Sequence, residues 1–185
     1  MYSSTQAEER AQGASRTVLN SAASGAGPIM FNVNNPFLTD AAIASLTTAN
    51  PGFAFGAPMW LSKHFDGQLF PSDTQTHDTE TLRALLGAEG EFAAGDRNFY
   101  WNLSGSFARV EGEVRSWGAH NAHLNNALGA VDDGSGNAVC SINVDGDPSN
   151  DDPACAPLNP FGFGNISDAA RDYVSVRTGE NFTNE

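Results

Sequence analysis

Residues 82–109 alternate between apolar and polar side chains with a period of two, and this stretch constrains the fold most tightly. Leu82, Ala84, Leu86, Ala88, Gly90 and Phe92 fall on one face of an extended chain; Arg83, Leu85, Gly87, Glu89 and Glu91 fall on the other. The turn-forming run AAGDRN follows at 93–98. Then Phe99, Trp101, Leu103, Gly105 and Phe107 alternate with Tyr100, Asn102, Ser104, Ser106 and Ala108. Such alternation on both sides of a short polar turn specifies a β-hairpin, with arms at 82–92 and 99–109.

Each arm has 11 residues, which fits the roughly 9–11 residues of a tilted membrane-spanning strand. Phe92, Phe99, Tyr100 and Trp101 gather at the turn end, where an interfacial aromatic girdle belongs. Few other segments offer a second sheet to cover the apolar face. Lipid would then meet Leu82, Leu86, Phe92, Phe99, Trp101, Leu103 and Phe107, while Glu89, Glu91, Asn102 and Ser104 face a lumen. The alternation runs on as VEGEVRSWG with charges on the Arg109/Glu111/Glu113/Arg115 face, carrying the strand past the bilayer into water. The competing reading is a soluble sandwich, its apolar face packed on a second sheet.

The 185-residue chain carries 9 basic and 22 acidic residues, a net charge of −13. That balance argues against nucleic-acid binding, which needs a basic patch to neutralise phosphates. Nineteen glycines and many Asn, Ser and Asp predict extensive turns and loops. The two cysteines, Cys140 and Cys155, are compatible with one disulfide and an oxidising compartment, or alternatively with two buried thiols. No stretch reaches the roughly 20 apolar residues of a transmembrane helix, and the first residues lack the apolar core of a signal peptide.

Four regions follow. Residues 1–30 are small and polar and read as loop or disorder. Residues 31–79 read as a loop with one short helix at 39–48, capped by Thr39 or Asp40. Residues 80–118 are the hairpin. Residues 119–185 return to loop, with a Ser167-capped helix through residue 174 and the start of a further strand.

The order of segments resembles a known family. The strand pair LRALLGAEGEF and NFYWNLSGSFARVEG is followed by NAHLNNALGAVDDGSGNAVC and then CAPLNPFGFGNISDAARDYV, with NPFL and a helix upstream at residues 35–38. This looks like the barrel of TonB-dependent outer-membrane receptors over residues 31–185, most specifically at 140–165. The resemblance implies a mainly β fold: a piece of a transmembrane antiparallel β-barrel with long extracellular loops that contain short helices. It implies uptake of a scarce nutrient (a ferric siderophore, cobalamin or an oligosaccharide) across the bacterial outer membrane. Such a barrel, of about 22 strands, holds a plug on which the TonB complex acts. This chain shows no plug, TonB box or terminal aromatic strand, so it reads as an internal fragment. The partners implied are outer-membrane lipid, the nutrient and, through the absent plug, TonB.

Phe53, Phe55, Trp60, Phe65 and Phe70 are candidates for stacking on a ligand ring, against the plainer reading of loop packing. Asp145, Asp147 and Ser149 open like an EF-hand loop, but Asn150 stands where its Gly belongs and Ala156 where its distal Glu belongs, so no metal or cofactor is expected. His120 and His123 lack further ligands at zinc spacing. No nucleophile elbow, phosphate loop or HExxH motif points to catalysis. The alternative function is a soluble, secreted β-rich binding protein with an acidic, calcium-dependent loop.

Overall fold

A computed structural model describes residues 1–10, 15–16 and 27–184. The chain divides into two compact units. The first comprises Met1–Arg10, Thr74–Ser116 and Thr178–Glu185; the second comprises Ala11–Asp73 and Trp117–Arg177.

In chain order the elements are β1 (Tyr2–Arg10), β2 (Ser15–Arg16), β3 (Ile29–Phe31), α1 (Asp40–Ala49), β4 (Met59–Leu61), β5 (Lys63–His64), β6 (Thr74–Ala94), β7 (Arg97–Ala119), α2 (Asn121–Leu128), β8 (Ala130–Asp132), β9 (Ala138–Cys140), α3 (Asp168–Val174) and β10 (Ser175–Asn184). The fold is mixed: antiparallel sheets dominate, with three short α-helices among the described residues.

The first unit is a four-stranded sheet in the order β1-β6-β7-β10, and among the described residues it does not close into a barrel. Its centre is the predicted hairpin, longer than the alternation indicates: β6 has 21 residues and β7 has 23. Ala94 pairs with Arg97, so the turn shrinks from 93–98 to Gly95-Asp96. Gly95 has φ of 64° and Asp96 a negative φ, the pattern of a type II′ turn, whose twist matches that of the strands. Residues 2–10, part of the stretch read as loop or disorder, are instead strand β1, paired with β6 from Tyr2↔Leu82 to Arg10↔Thr74. The polar run YSSTQAEER carries no apolar alternation; the β6 ladder supplies its order.

The second unit has its own core. Ile29, Phe65, Leu69, Phe70, Leu124, Leu128, Leu158, Ile166 and Val174 form one buried cluster with Ala127 and Ala170. Helix α2 contributes Leu124, Ala127 and Leu128 at i, i+3 and i+4, the spacing of a single helix face. The caps follow the expected chemistry. Thr39 Oγ1 accepts from the Ala42 amide ahead of α1, and Ser167 Oγ from the Ala170 amide ahead of α3. The PLNPFGFG segment is tied inward: the Leu158 amide donates to the Ala127 carbonyl at 2.8 Å, and the Gly164 amide to Gln68 Oε1 at 3.2 Å. Cys140 and Cys155 form a disulfide with Cα atoms 6.2 Å apart. Cys140 is 1% exposed, although its sequence neighbourhood does not look like core.

Candidate functional site

The hairpin register assembles one apolar band. Phe92 pairs with Phe99, Gly90 with Trp101, Ala88 with Leu103, Leu86 with Gly105, and Ala84 with Phe107. Directly paired residues share a sheet face, so these side chains are neighbours, with Leu82 at the far limit. Phe92 and Phe99 stack with ring centroids 5.2 Å apart. Trp101 lies across Gly90, where an added Cβ would come within 2.7 Å of the indole, so this close approach requires glycine. Beyond Leu82 the same face turns charged, with Glu80 opposite Glu111, Asp78 opposite Glu113 and Thr76 opposite Arg115. Arg115 makes two 2.6 Å hydrogen bonds to the Glu113 carboxylate.

The band spans ten residue steps, about 34 Å along the strand at ~3.4 Å per residue. A strand tilted by about 45° projects that length onto roughly 24 Å, close to the apolar belt of an outer-membrane barrel. Leu86 is 81% exposed and Leu103 69%. Among the described residues no second sheet of this unit covers them. Glu89, Glu91, Asn102 and Ser104 occupy the opposite face, with Glu89 paired to Asn102 and Glu91 to Tyr100. Tyr100 therefore leaves the aromatic row formed by Phe92, Phe99 and Trp101.

The proposed ring-stacking residues divide. Phe53 and Phe65 are fully buried and Phe70 nearly so, which closes these three faces to a ligand. Phe65 and Phe70 belong to the core cluster, and Phe53 packs edge-on against Phe31. Phe55 and Trp60 are exposed.

In the acidic loop the carboxylates serve the loop itself. Asp145 accepts from the Asp147 amide and from Asn150 Nδ2, and Asp147 from the Ser149 amide and hydroxyl. These Ser149 bonds, hydroxyl first, hold the Asp147 carboxyl below its usual range. Among the described residues no group of three or more His, Cys, Asp or Glu side chains is placed to hold a metal ion.

Residue Tyr173, which composition and periodicity left unremarked, organises a polar cluster. Its hydroxyl donates to Asp152 Oδ2 at 2.7 Å and accepts from Asn126 Nδ2 at 3.4 Å, while the His123 ring stacks on it with centroids 4.4 Å apart. The Tyr173 hydrogen bond is the main cause holding the Asp152 carboxyl below the usual carboxylate range. Burial, then the bond to Asp152, pushes the Tyr173 hydroxyl above its usual range. A depressed carboxyl contributes stability above its unfolded value, about 3.9, that is lost as pH falls through the folded value. A raised phenol contributes stability below its unfolded value, about 10, that is lost as pH rises through the folded value. Tyr173→Phe is expected to flatten both limbs in a pH series of amide exchange over α2 and α3, and Asp152→Asn to flatten chiefly the acid limb. Unchanged limbs in both variants would show that other groups set the pH dependence.

No protein-family model, curated protein or solved structure matches this chain.

Proposed function

We propose that this chain forms part of the wall and extracellular loops of a TonB-dependent outer-membrane receptor that takes up a scarce nutrient. The carrying observation is the apolar band on the hairpin: bilayer-sized, bounded by an aromatic row at the turn and by charged rows at the other end, and open to solvent. A further feature supports it: the long connections β1-to-β6 and β7-to-β10 both leave the sheet at its charged end, opposite the Gly95-Asp96 turn. Long connections on one side and tight turns on the other are the arrangement of outer-membrane barrels. The role is transport and not catalysis.

The test is topology in native cells. An antibody against residues 140–165 is expected to label intact cells, while an epitope inserted between Gly95 and Asp96 becomes accessible only after the outer membrane is permeabilised. Blot signal for the protein in the outer-membrane fraction completes the expectation. A band of about this chain's length in a soluble fraction would overturn it and favour the secreted binding protein.

A further inference from the structure

The second unit contains a cleft of about 630 Å³ between α1 and residues 159–165. That volume lies within the usual range for small-molecule sites, roughly 300–1,000 Å³. Its walls are mainly apolar, with Phe31, Phe37 and Phe161 supplying rings and Leu38, Leu46 and Leu61 filling between them. The cleft exists because α1 is only half packed: none of its residues is buried, and Leu46 borders the open space.

Two carboxamides line this cleft, and each uses only one of its two polar atoms. Asn159 Oδ1 accepts from the Phe161 amide at 2.9 Å, and Asn165 Nδ2 donates to the Phe161 carbonyl at 2.8 Å. Asn159 Nδ2, a donor, and Asn165 Oδ1, an acceptor, have no partner among the described residues. No charged side chain lines the cleft. We propose that the cleft between α1 and residues 159–165 binds an uncharged aromatic ring bearing a hydroxyl group.

The lining chemistry selects this class over the neighbouring ones. A phenolic hydroxyl both donates and accepts, so it can serve Asn165 Oδ1 or Asn159 Nδ2 while its ring meets the three phenylalanines. A carboxylate or sulfonate would meet only Lys63 at the rim, whose ammonium already donates to the Gly162 carbonyl at 2.6 Å, so most of its desolvation cost is left unmet. A sugar ring would bring several hydroxyls to walls whose other polar side chains, Thr39 and Ser45, are already bonded to the Ala42 amide and the Ala41 carbonyl, leaving most of those hydroxyls unsatisfied. This inference concerns the second unit alone and holds whether or not the sheet lies in a membrane.

The experiment uses the full chain, disulfide intact, in detergent, titrated with 2-naphthol and compared with Ala42→Trp, whose indole fills the cleft. Ala42 lines the cleft from α1. Subtracting the Ala42→Trp signal removes partition into detergent. Wild type is expected to bind 2-naphthol at least tenfold more tightly than Ala42→Trp. 2-Methoxynaphthalene, which cannot donate, should bind about tenfold more weakly than 2-naphthol, and 2-naphthoate and maltose should not compete. Asn165→Leu, which keeps the volume and removes the acceptor, should erase the difference between 2-naphthol and its methyl ether. Far-UV circular dichroism and the disulfide confirm that both variants fold. Equal 2-naphthol uptake by wild type and Ala42→Trp, or competition by maltose or 2-naphthoate at lower concentration than 2-naphthol, would overturn the proposal.

Discussion

On the receptor-wall reading proposed above, Leu103→Arg is expected to block assembly in the outer membrane, whereas Ser104→Arg, one position on, is expected to assemble nearly as well as wild type. The two residues are adjacent in β7 but lie on opposite faces: Leu103 pairs with Ala88 inside the apolar band, and Ser104 pairs with Gly87 on the face that carries Glu89 and Asn102. Leu103 also sits near the middle of the band, between the Phe92/Phe99 row and Leu82. An arginine facing lipid near the bilayer midplane costs roughly 2–4 kcal/mol, while on a water-filled lumen the cost is small. The comparison cancels every effect common to placing arginine in this strand, including lost strand propensity and a longer side chain. The readout is the fraction of heat-modifiable, protease-resistant protein in isolated outer membranes. Normal assembly of Leu103→Arg would remove the lipid-facing assignment. Failure of Ser104→Arg alone would mean that the two faces are reversed.

What the sequence revealed of this fold follows from where side chains carry the information. The hairpin was legible because a two-sided environment imposes period two, and residues 82–92 and 99–109 carry it on either side of the turn. α1 and α3 were legible from Thr39 and Ser167, whose hydroxyls cap the first turns as the residue types suggest. β1 and the first part of β6 were not, because TQTHDTET and YSSTQAEER are polar on both faces; their order comes from a ladder between segments more than sixty residues apart. α2 was hidden for a different reason: its Asn-rich stretch has weak helix propensity, and its signal lay in the spacing of Leu124, Ala127 and Leu128. The core of the second unit draws on residues from Ile29 to Val174, so no local window contains it. The cleft beside α1 was equally out of reach, since its walls come from residues near 31–46, 61 and 159–165. The aromatic run at 53–70 drew attention as a stacking surface, yet burial of Phe53, Phe65 and Phe70 is decided by packing partners that sequence proximity does not show.

Replacing both cysteines, Cys140→Ser with Cys155→Ser, is expected to destabilise the second unit by about 3 kcal/mol, the chain-entropy value for a loop of about fifteen residues. The bridge closes a segment whose other anchors are few. The Ser141 amide donates to the Gly129 carbonyl, the Leu158 amide to the Ala127 carbonyl, and Asn143 and Asp152 exchange two hydrogen bonds across the loop. Most remaining polar contacts between these anchors are Asx turns within the loop, such as Ser149 on Asp147 and Ala154 on Asp152, which persist locally without holding the loop ends together. Cys140 is buried at the end of β9, so the serine variant also places a hydroxyl where a sulfur packed. About 3 kcal/mol corresponds to roughly a hundredfold faster amide exchange through opening of the unit. That acceleration should reach α2 and α3 and leave the β6–β7 ladder unchanged. The same pattern should follow reduction of the wild-type disulfide. Exchange that accelerates only between residues 140 and 158 would mean that the bridge orders the loop without supporting the core. Equal acceleration in β6 and β7 would mean that the two units open together.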